Sequence, residues 1–163
     1  MRGIVCAVAM AAAICAGGCK QGDGSLPPKT GDVPNRISDL KRDLETLVAG
    51  DQTAVKDLSD DLGVFTEEPD GHIAIRALSN TVGPMLLMKQ VNDDALTRIA
   101  TVMWTAAAGR DLSERQVDGL KDEMRNVLTS LGVSQPDANL AAGRVGDVQK
   151  AVTYRTRRWY ERY

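Results

Sequence analysis

The chain has very few aromatic side chains and a single histidine, His72. Its aromatic residues are one phenylalanine, two tryptophans and three tyrosines, 4% of 163 residues. A hydrophobic core built from this composition must be filled mainly by Ala, Val, Leu and Met, which suits closely packed helices better than a β-sandwich. The sequence also has no glycine-rich phosphate loop, no serine in a nucleophile-elbow motif and no His-Glu-x-x-His pattern. We therefore expect no catalytic residues, no metal ligands and no cofactor, and predict that the protein is not an enzyme.

The chain lacks an excess of positive charge. Its formal net charge is −2 at pH 7, so it has no global basic field of the kind that nucleic-acid-binding proteins use. The charge is nevertheless uneven: residues 39–70 hold ten acidic residues against three basic ones, and residues 150–163 hold five basic residues against one acidic one. We expect no nucleic-acid partner, and the simplest interpretation of the two charged regions is that both are solvated surfaces.

The N-terminus has the organisation of an export signal. Met1-Arg2 is a short positive segment, and the uncharged run Ile4–Ile14 that follows has 11 residues. A helix needs about 20 apolar residues to span a bilayer, so this run is too short for a comfortable membrane span and is typical of a signal peptide.

The run ends in Ala16-Gly17-Gly18-Cys19, which resembles the lipobox of bacterial lipoproteins. The usual form of that motif has Leu where this chain has Ala16. The resemblance covers the first 19 residues only. It implies that residues 1–18 are removed and that Cys19 carries acyl chains, palmitate among them, at the start of the mature protein. Alternatives are an ordinary secretory signal and an uncleaved inner-membrane anchor.

The lipobox also settles the expected fate of the three cysteines. Cys6 and Cys15 would leave with the signal, and Cys19 would become a thioether, so the mature domain would have no disulfide and no cysteine chemistry. In the sorting rule known for enteric-type lipoproteins, an Asp after the lipidated cysteine retains the protein in the inner membrane. Lys20 stands there, which favours a periplasm-facing position on the outer membrane of the cell envelope.

Downstream of Cys19, the composition predicts a flexible tether over residues 19–34 and a helical domain over residues 35–163. Residues 20–34 combine three Gly, three Pro and polar residues without apolar periodicity. From Arg36 onwards, apolar residues recur at helical spacing between capping signals, among which Ser113 with Gln116 has the form of a capping box. We predict an all-α fold, an antiparallel bundle of about five to seven helices.

The segment 72–91 is ambiguous. Ile73, Ile75 and Ala77 alternate like a strand, which would allow a hairpin, whereas Ile75, Leu78 and Val82 fit helical spacing. We favour two short helices broken at Gly83-Pro84 over the hairpin, because proline is tolerated at the start of a helix and an isolated hairpin is only marginally stable.

Local charge clusters offer little chemistry. Glu67, Glu68 and Asp70 lie near His72 in sequence and could form a cation site with it, but acidic loops are usually only solvated. Asp57 and Asp61 share one face of a predicted helix, where like charges are mildly destabilising.

The C-terminal segment interleaves arginines with aromatic residues, the residue types that are enriched at interface hot spots. One interpretation is the capped end of the bundle; the other is a contact surface. The residues of that possible contact surface are Arg155, Arg157, Arg158, Trp159, Tyr160, Arg162 and Tyr163.

Together these features predict a non-enzymatic helical interaction or scaffold module, held at a membrane by its lipid anchor and working through an envelope protein partner. The alternative is a periplasm-facing carrier of a small ligand or lipid, with the stretch Met85–Met88 lining a cavity between helices.

Overall fold

A computed structural model describes residues 33–66, 69–87, 89–109 and 112–160, with side chains between residues 36 and 152. These residues form six α-helices and no β-strand, which confirms the all-helical prediction. The helices are α1 (Val33–Val48), α2 (Ala54–Gly63), α3 (Pro69–Leu86), α4 (Asp93–Ala108), α5 (Glu114–Ser130) and α6 (Gln135–Tyr160). Cys19 and the residues before α1 lie outside the described part of the chain.

Helix ends are placed by local hydrogen bonds that the sequence predicted. Ser113 and Gln116 form the capping box, with the Gln116 amide donating to Ser113 Oγ at 3.4 Å and the Ser113 amide donating to Gln116 Oε1 at 2.9 Å. Asn92 caps α4 by accepting from the Ala95 amide at 2.8 Å. Each bond satisfies an amide that a free helix end would leave unpaired.

Two of the C-terminal ends need glycine. After α5, Gly132 has φ +74°, and the Val133 amide donates to the Leu128 carbonyl at 3.0 Å. After α1, Gly50 has φ +106°, and the Asp51 amide donates to the Thr46 carbonyl at 3.2 Å. Both are Schellman motifs, in which a left-handed residue turns the chain sharply so that the next helix packs back on the bundle.

The predicted break at Gly83-Pro84 is wrong: α3 runs without interruption through both residues to Leu86. Proline leaves one helical hydrogen bond unmade, here to the Asn80 carbonyl. Both Pro84 and Asn80 are exposed, so water can reach that carbonyl. The helix continues through this point because tertiary packing buries Val82 and Leu86 fully on either side of it. The helical interpretation of this segment is right, and the hairpin does not form.

Glycine is required at position 83 for a different reason. A Cβ atom placed there would lie 2.7 Å from Val55 Cγ2 of α2 and 3.6 Å from a Leu47 methyl of α1. The close contact of these three helices therefore depends on the absence of a side chain at this position.

The core is one continuous cluster of aliphatic side chains and Met. Helix α6 packs against α3, α4 and α5, and α2 packs against α3. Leu40, Leu44 and Leu47 of α1 are 0–2% exposed, so the first helix belongs to this core. Of the two Gly residues of α6 that could allow close packing, Gly146 lies against the Lys121 side chain of α5 and Gly143 faces open space.

One buried polar side chain links α6 to the end of α4. Gln149 is 3% exposed, and its Nε2 donates to the carbonyl of Ala106 at 2.5 Å and to that of Gly109 at 2.9 Å. We expect Gln149→Ala to destabilise the protein by about 2 kcal/mol, because it leaves buried helix-end carbonyls without donors. Urea unfolding will measure this. The exposed Gln135→Ala is the control, with a change below about 0.5 kcal/mol, and equal effects of the two substitutions would contradict the linking role.

Candidate functional site

Two shallow hollows lie side by side on the outer surface of α2 and α3. The first has a volume of about 250 Å³ and is lined by Ser59, Asp60, Gly63, Val64, His72 and Arg76. The second has a volume of about 540 Å³ and is lined by Pro69, His72, Ile73, Arg76, Ala77 and Asn80. We call these ten residues the α2–α3 face. His72 and Arg76 line both hollows and so form the ridge between them.

Large apolar side chains are exposed on this face. Ile73 is 67% exposed and Val64 is 61% exposed. Within the described part of the chain only one other large aliphatic side chain, Leu140 of α6, is similarly exposed, at 50%. Ile73 stands out because α3 buries the opposite set, Ile75, Leu78 and Val82. The face therefore concentrates apolar surface that a folded protein ordinarily removes from water.

Helical spacing aligns the side chains of the second hollow. Pro69, Ile73 and Ala77 follow one another at i, i+4 and i+8 on α3, and Asn80 continues the row. His72 and Arg76 form the adjoining row, next to α2. The result is an apolar strip with hydrogen-bond donors along one side.

The imidazole of His72 can approach the end of α2 closely because residue 63 is a glycine. A Cβ atom on Gly63 would lie 3.1 Å from His72 Nδ1, so the imidazole rests against the backbone at the end of α2. The ring makes no hydrogen bond to any other described residue.

Arg76 is the free cation of the face. Its neighbour Asp60 is held by Lys56, whose Nζ lies 2.5 Å from Asp60 Oδ2. That hydrogen bond is the largest cause of the lowered pKa of Asp60, and the charge of Arg76 lowers the pKa further. Among the described residues Arg76 has no ion pair within 4.0 Å and no hydrogen bond. Its planar guanidinium is therefore available to a carboxylate from another molecule.

The sequence reasoning missed this face, although a signal was present. Ile73 does not fit the helical stripe of Ile75, Leu78 and Val82, and an isoleucine outside the buried stripe of a helix is an exposed one. The proximity of Val64 could not be found in this way, because it depends on how α2 and α3 pack.

Of the residues that the sequence singled out, His72 lies on the α2–α3 face, and the others lie elsewhere. Three predictions concern residues that the structure does not describe: the anchor at Cys19, the cation site with Glu67 and Glu68, and the contact surface formed by the side chains of residues 155–163. They stay predictions. Of the stretch Met85–Met88, Leu86 is fully buried in the core and Met85 packs against it. Neither hollow of the α2–α3 face includes a residue of this stretch.

Asp57 and Asp61 do share a helix face, as predicted, and the structure adds a third carboxyl group to them. Asp43 of α1 lies close enough for both charges to raise its pKa. Within residues 33–66, 69–87, 89–109 and 112–160, no three His, Cys, Asp or Glu side chains are grouped so that they could hold a metal ion.

None of the helices, as far as they are described, combines the length and the apolar character that crossing a membrane requires. No protein-family model matches this chain, and no curated protein and no solved structure is significantly similar to it.

Proposed function

We propose that this protein is a lipid-anchored lipoprotein of the bacterial envelope that binds another envelope protein through the α2–α3 face. The anchor is supported by the lipobox-like Ala16-Gly17-Gly18-Cys19 at the end of a signal-like segment. Lys20 supports a periplasm-facing position on the outer membrane. The role is non-enzymatic: the domain holds a partner near the membrane.

The observation that carries this proposal is the exposure of Ile73 beside Arg76, which has no ion-pair partner among the described residues. Burying an isoleucine side chain fully is worth about 1.5–3 kcal/mol. Arginine is among the residues that most often dominate the energetics of protein interfaces. An apolar anchor and a free cation that share one hollow form a compact docking site.

The chemistry of the face favours a protein over a bilayer surface. Asp60 lies near both Arg76 and Lys56, and Asp57 lies near Lys56. Because these two carboxylates offset the two cations, this side of the domain offers no net positive charge to an anionic membrane surface. A fitting partner segment is an amphipathic helix that places an apolar side chain over Ile73 and a carboxylate opposite Arg76.

Substituting Ile73→Asp tests the proposal. Because the side chain is largely exposed, the variant should fold normally, yet it should lose the partner through a lost apolar contact and a new charge. Cross-linking in intact envelopes followed by affinity purification, with the lipid anchor in place, measures the partner recovered. We expect recovery to fall at least tenfold, which is about 1.4 kcal/mol of binding free energy.

Leu140→Asp is the matched control, since Leu140 is also an exposed aliphatic residue on a helix. It should recover the same partner in the same amount as the unmodified chain. Equal recovery with Ile73→Asp, in a protein whose thermal unfolding is unchanged, would contradict the assignment of this face, as would the absence of any stoichiometric partner.

A further inference from the structure

One carboxyl oxygen of the first helix is buried without a hydrogen-bond partner among the described residues. Asp43 of α1 is half-buried, and its Oδ2 atom has no solvent-accessible surface. Among the described residues this oxygen has no hydrogen-bond partner. An ionised carboxylate in such a position has lost water without gaining donors in exchange, which is unfavourable.

The charges around Asp43 add to that cost. Asp57 and Asp61 face it from α2, and Asp39 faces it from one turn earlier on α1. Among the described residues, the opposing charge that acts on Asp43 is that of Arg42, whose guanidinium donates to Asp39 Oδ1 at 3.2 Å. Burial, followed by the charge of Asp61, raises the pKa of Asp43 to about 6.

The remaining attachments of α1 do not respond to pH in the same range. Leu40, Leu44 and Leu47 bury apolar surface at any pH. Lys41 forms an ion pair with Asp93 of α4, and the hydrogen bond to that carboxylate raises the pKa of Lys41, which therefore stays protonated throughout the neutral range. Of these described contacts of α1, Asp43 is the one whose charge changes between pH 5 and pH 7.5.

We propose that Asp43, Asp57 and Asp61 form a pH-sensitive latch that holds α1 to the bundle more tightly in acid than at neutral pH. Helix α1 is the element through which residues 19–34, and with them the predicted anchor, join the domain. The latch would thus make the connection between anchor and domain respond to the acidity of the surrounding compartment. This inference does not depend on the α2–α3 face.

Proton binding decides whether docking of α1 strengthens or weakens as the pH rises. When α1 is docked, Asp43 keeps its proton up to a pH of about 6, whereas with α1 released it ionises near its ordinary value of 3.8. Release of α1 therefore frees a proton, and docking weakens as pH rises through this window. With these two values the opening equilibrium of α1 should increase about tenfold between pH 5 and pH 7.5.

Hydrogen exchange of the full chain, solubilised in a neutral detergent, tests the latch. Protection factors corrected for the intrinsic pH dependence of exchange are compared at pH 5 and pH 7.5. We expect the amides of α1 to lose about tenfold in protection at the higher pH, and those of α5 and α6 to lose much less.

Variants separate the latch from a general effect of pH. Asp43→Asn should make the protection of α1 nearly independent of pH and higher than that of the unmodified chain at pH 7.5. Asp61→Asn should reduce the pH dependence without abolishing it, because burial is the larger cause of the raised pKa. Glu45→Gln, an exposed carboxyl on the same helix, should leave the tenfold change in place.

Two results would overturn the proposal. One is a pH dependence of α1 protection that survives Asp43→Asn or that α5 and α6 share equally. The other is an NMR titration of the Asp43 carboxyl group in the folded protein with a midpoint near 4.

Discussion

Cys19→Ser is expected to abolish fatty-acid labelling of the protein, whereas Cys15→Ser and Cys6→Ser should leave it intact. In the lipoprotein pathway that the lipobox implies, the Cys19 thiol receives the diacylglyceryl group, and an oxygen in its place would not be modified. Each buried methylene contributes about 0.8 kcal/mol to membrane binding. Loss of two or three acyl chains therefore removes the membrane anchor outright.

Metabolic labelling with a fatty acid, together with mass spectrometry of the N-terminal peptide, measures this effect. In the unmodified chain the mature protein should begin at Cys19 and carry the added mass of the acyl groups. A mature N-terminus at another residue, or labelling that persists in Cys19→Ser, would contradict the lipobox. The cysteine controls are matched, because Cys6 and Cys15 lie within the same signal-like segment.

Leu44→Ala is expected to destabilise the domain by about 3 kcal/mol. Leu44 is 0% exposed, in the middle of the α1 stripe between Leu40 and Leu47. Removing a buried leucine typically costs about 2–5 kcal/mol, since apolar burial is lost and a cavity is left behind. Proteins of this size are stable by only about 5–15 kcal/mol, so this single substitution removes a large fraction of the total.

Urea unfolding followed by circular dichroism measures the change, with Leu140→Ala as the control. Leu140 is 50% exposed on α6, and its truncation should change stability by less than about 0.5 kcal/mol. A similar small effect for Leu44→Ala would mean that α1 is not part of the cooperative core.

The success of the sequence predictions depended on the distance along the chain over which each interaction acts. Ser113 and Gln116 are three residues apart, and the bonds that close α5 at Gly132 join residues within five positions. Such signals are complete within a short window, so the capping box and the glycine turn could be predicted from residue types alone.

The break at Gly83-Pro84 was mispredicted because a local rule was outweighed by distant contacts. Proline costs about 3 kcal/mol in the interior of a helix. Here the packing of Gly83 against Val55 of α2, and the burial of Val82 and Leu86, favour a continuous helix over a break. The residues responsible are about thirty positions away in the sequence.

The candidate sites divide in the same way. The lipobox-like motif is contiguous in sequence, so an anchor at Cys19 could be predicted from it. The position of Asp57 and Asp61 on one helix face was also predicted, from their spacing. The approach of Asp43 to that pair, and the presence of Val64 and Ile73 on the two sides of Arg76 in neighbouring hollows, depend on how helices dock. The sequence around a carboxyl group or an exposed aliphatic residue does not indicate which residues of another helix will lie next to it.

By itself, therefore, the sequence determined the all-helical class and the capping box at Ser113, and its lipobox-like motif predicts an anchor at Cys19. Hydrogen bonds within one turn, apolar periodicity and a contiguous motif contain this information. Only the tertiary structure decided that the Asp43 carboxyl group is partly buried near Asp57 and Asp61 and which apolar side chains stay exposed on the α2–α3 face. These features come from packing between helices: burial raises the pKa of Asp43, and no element in the described part of the chain covers Ile73.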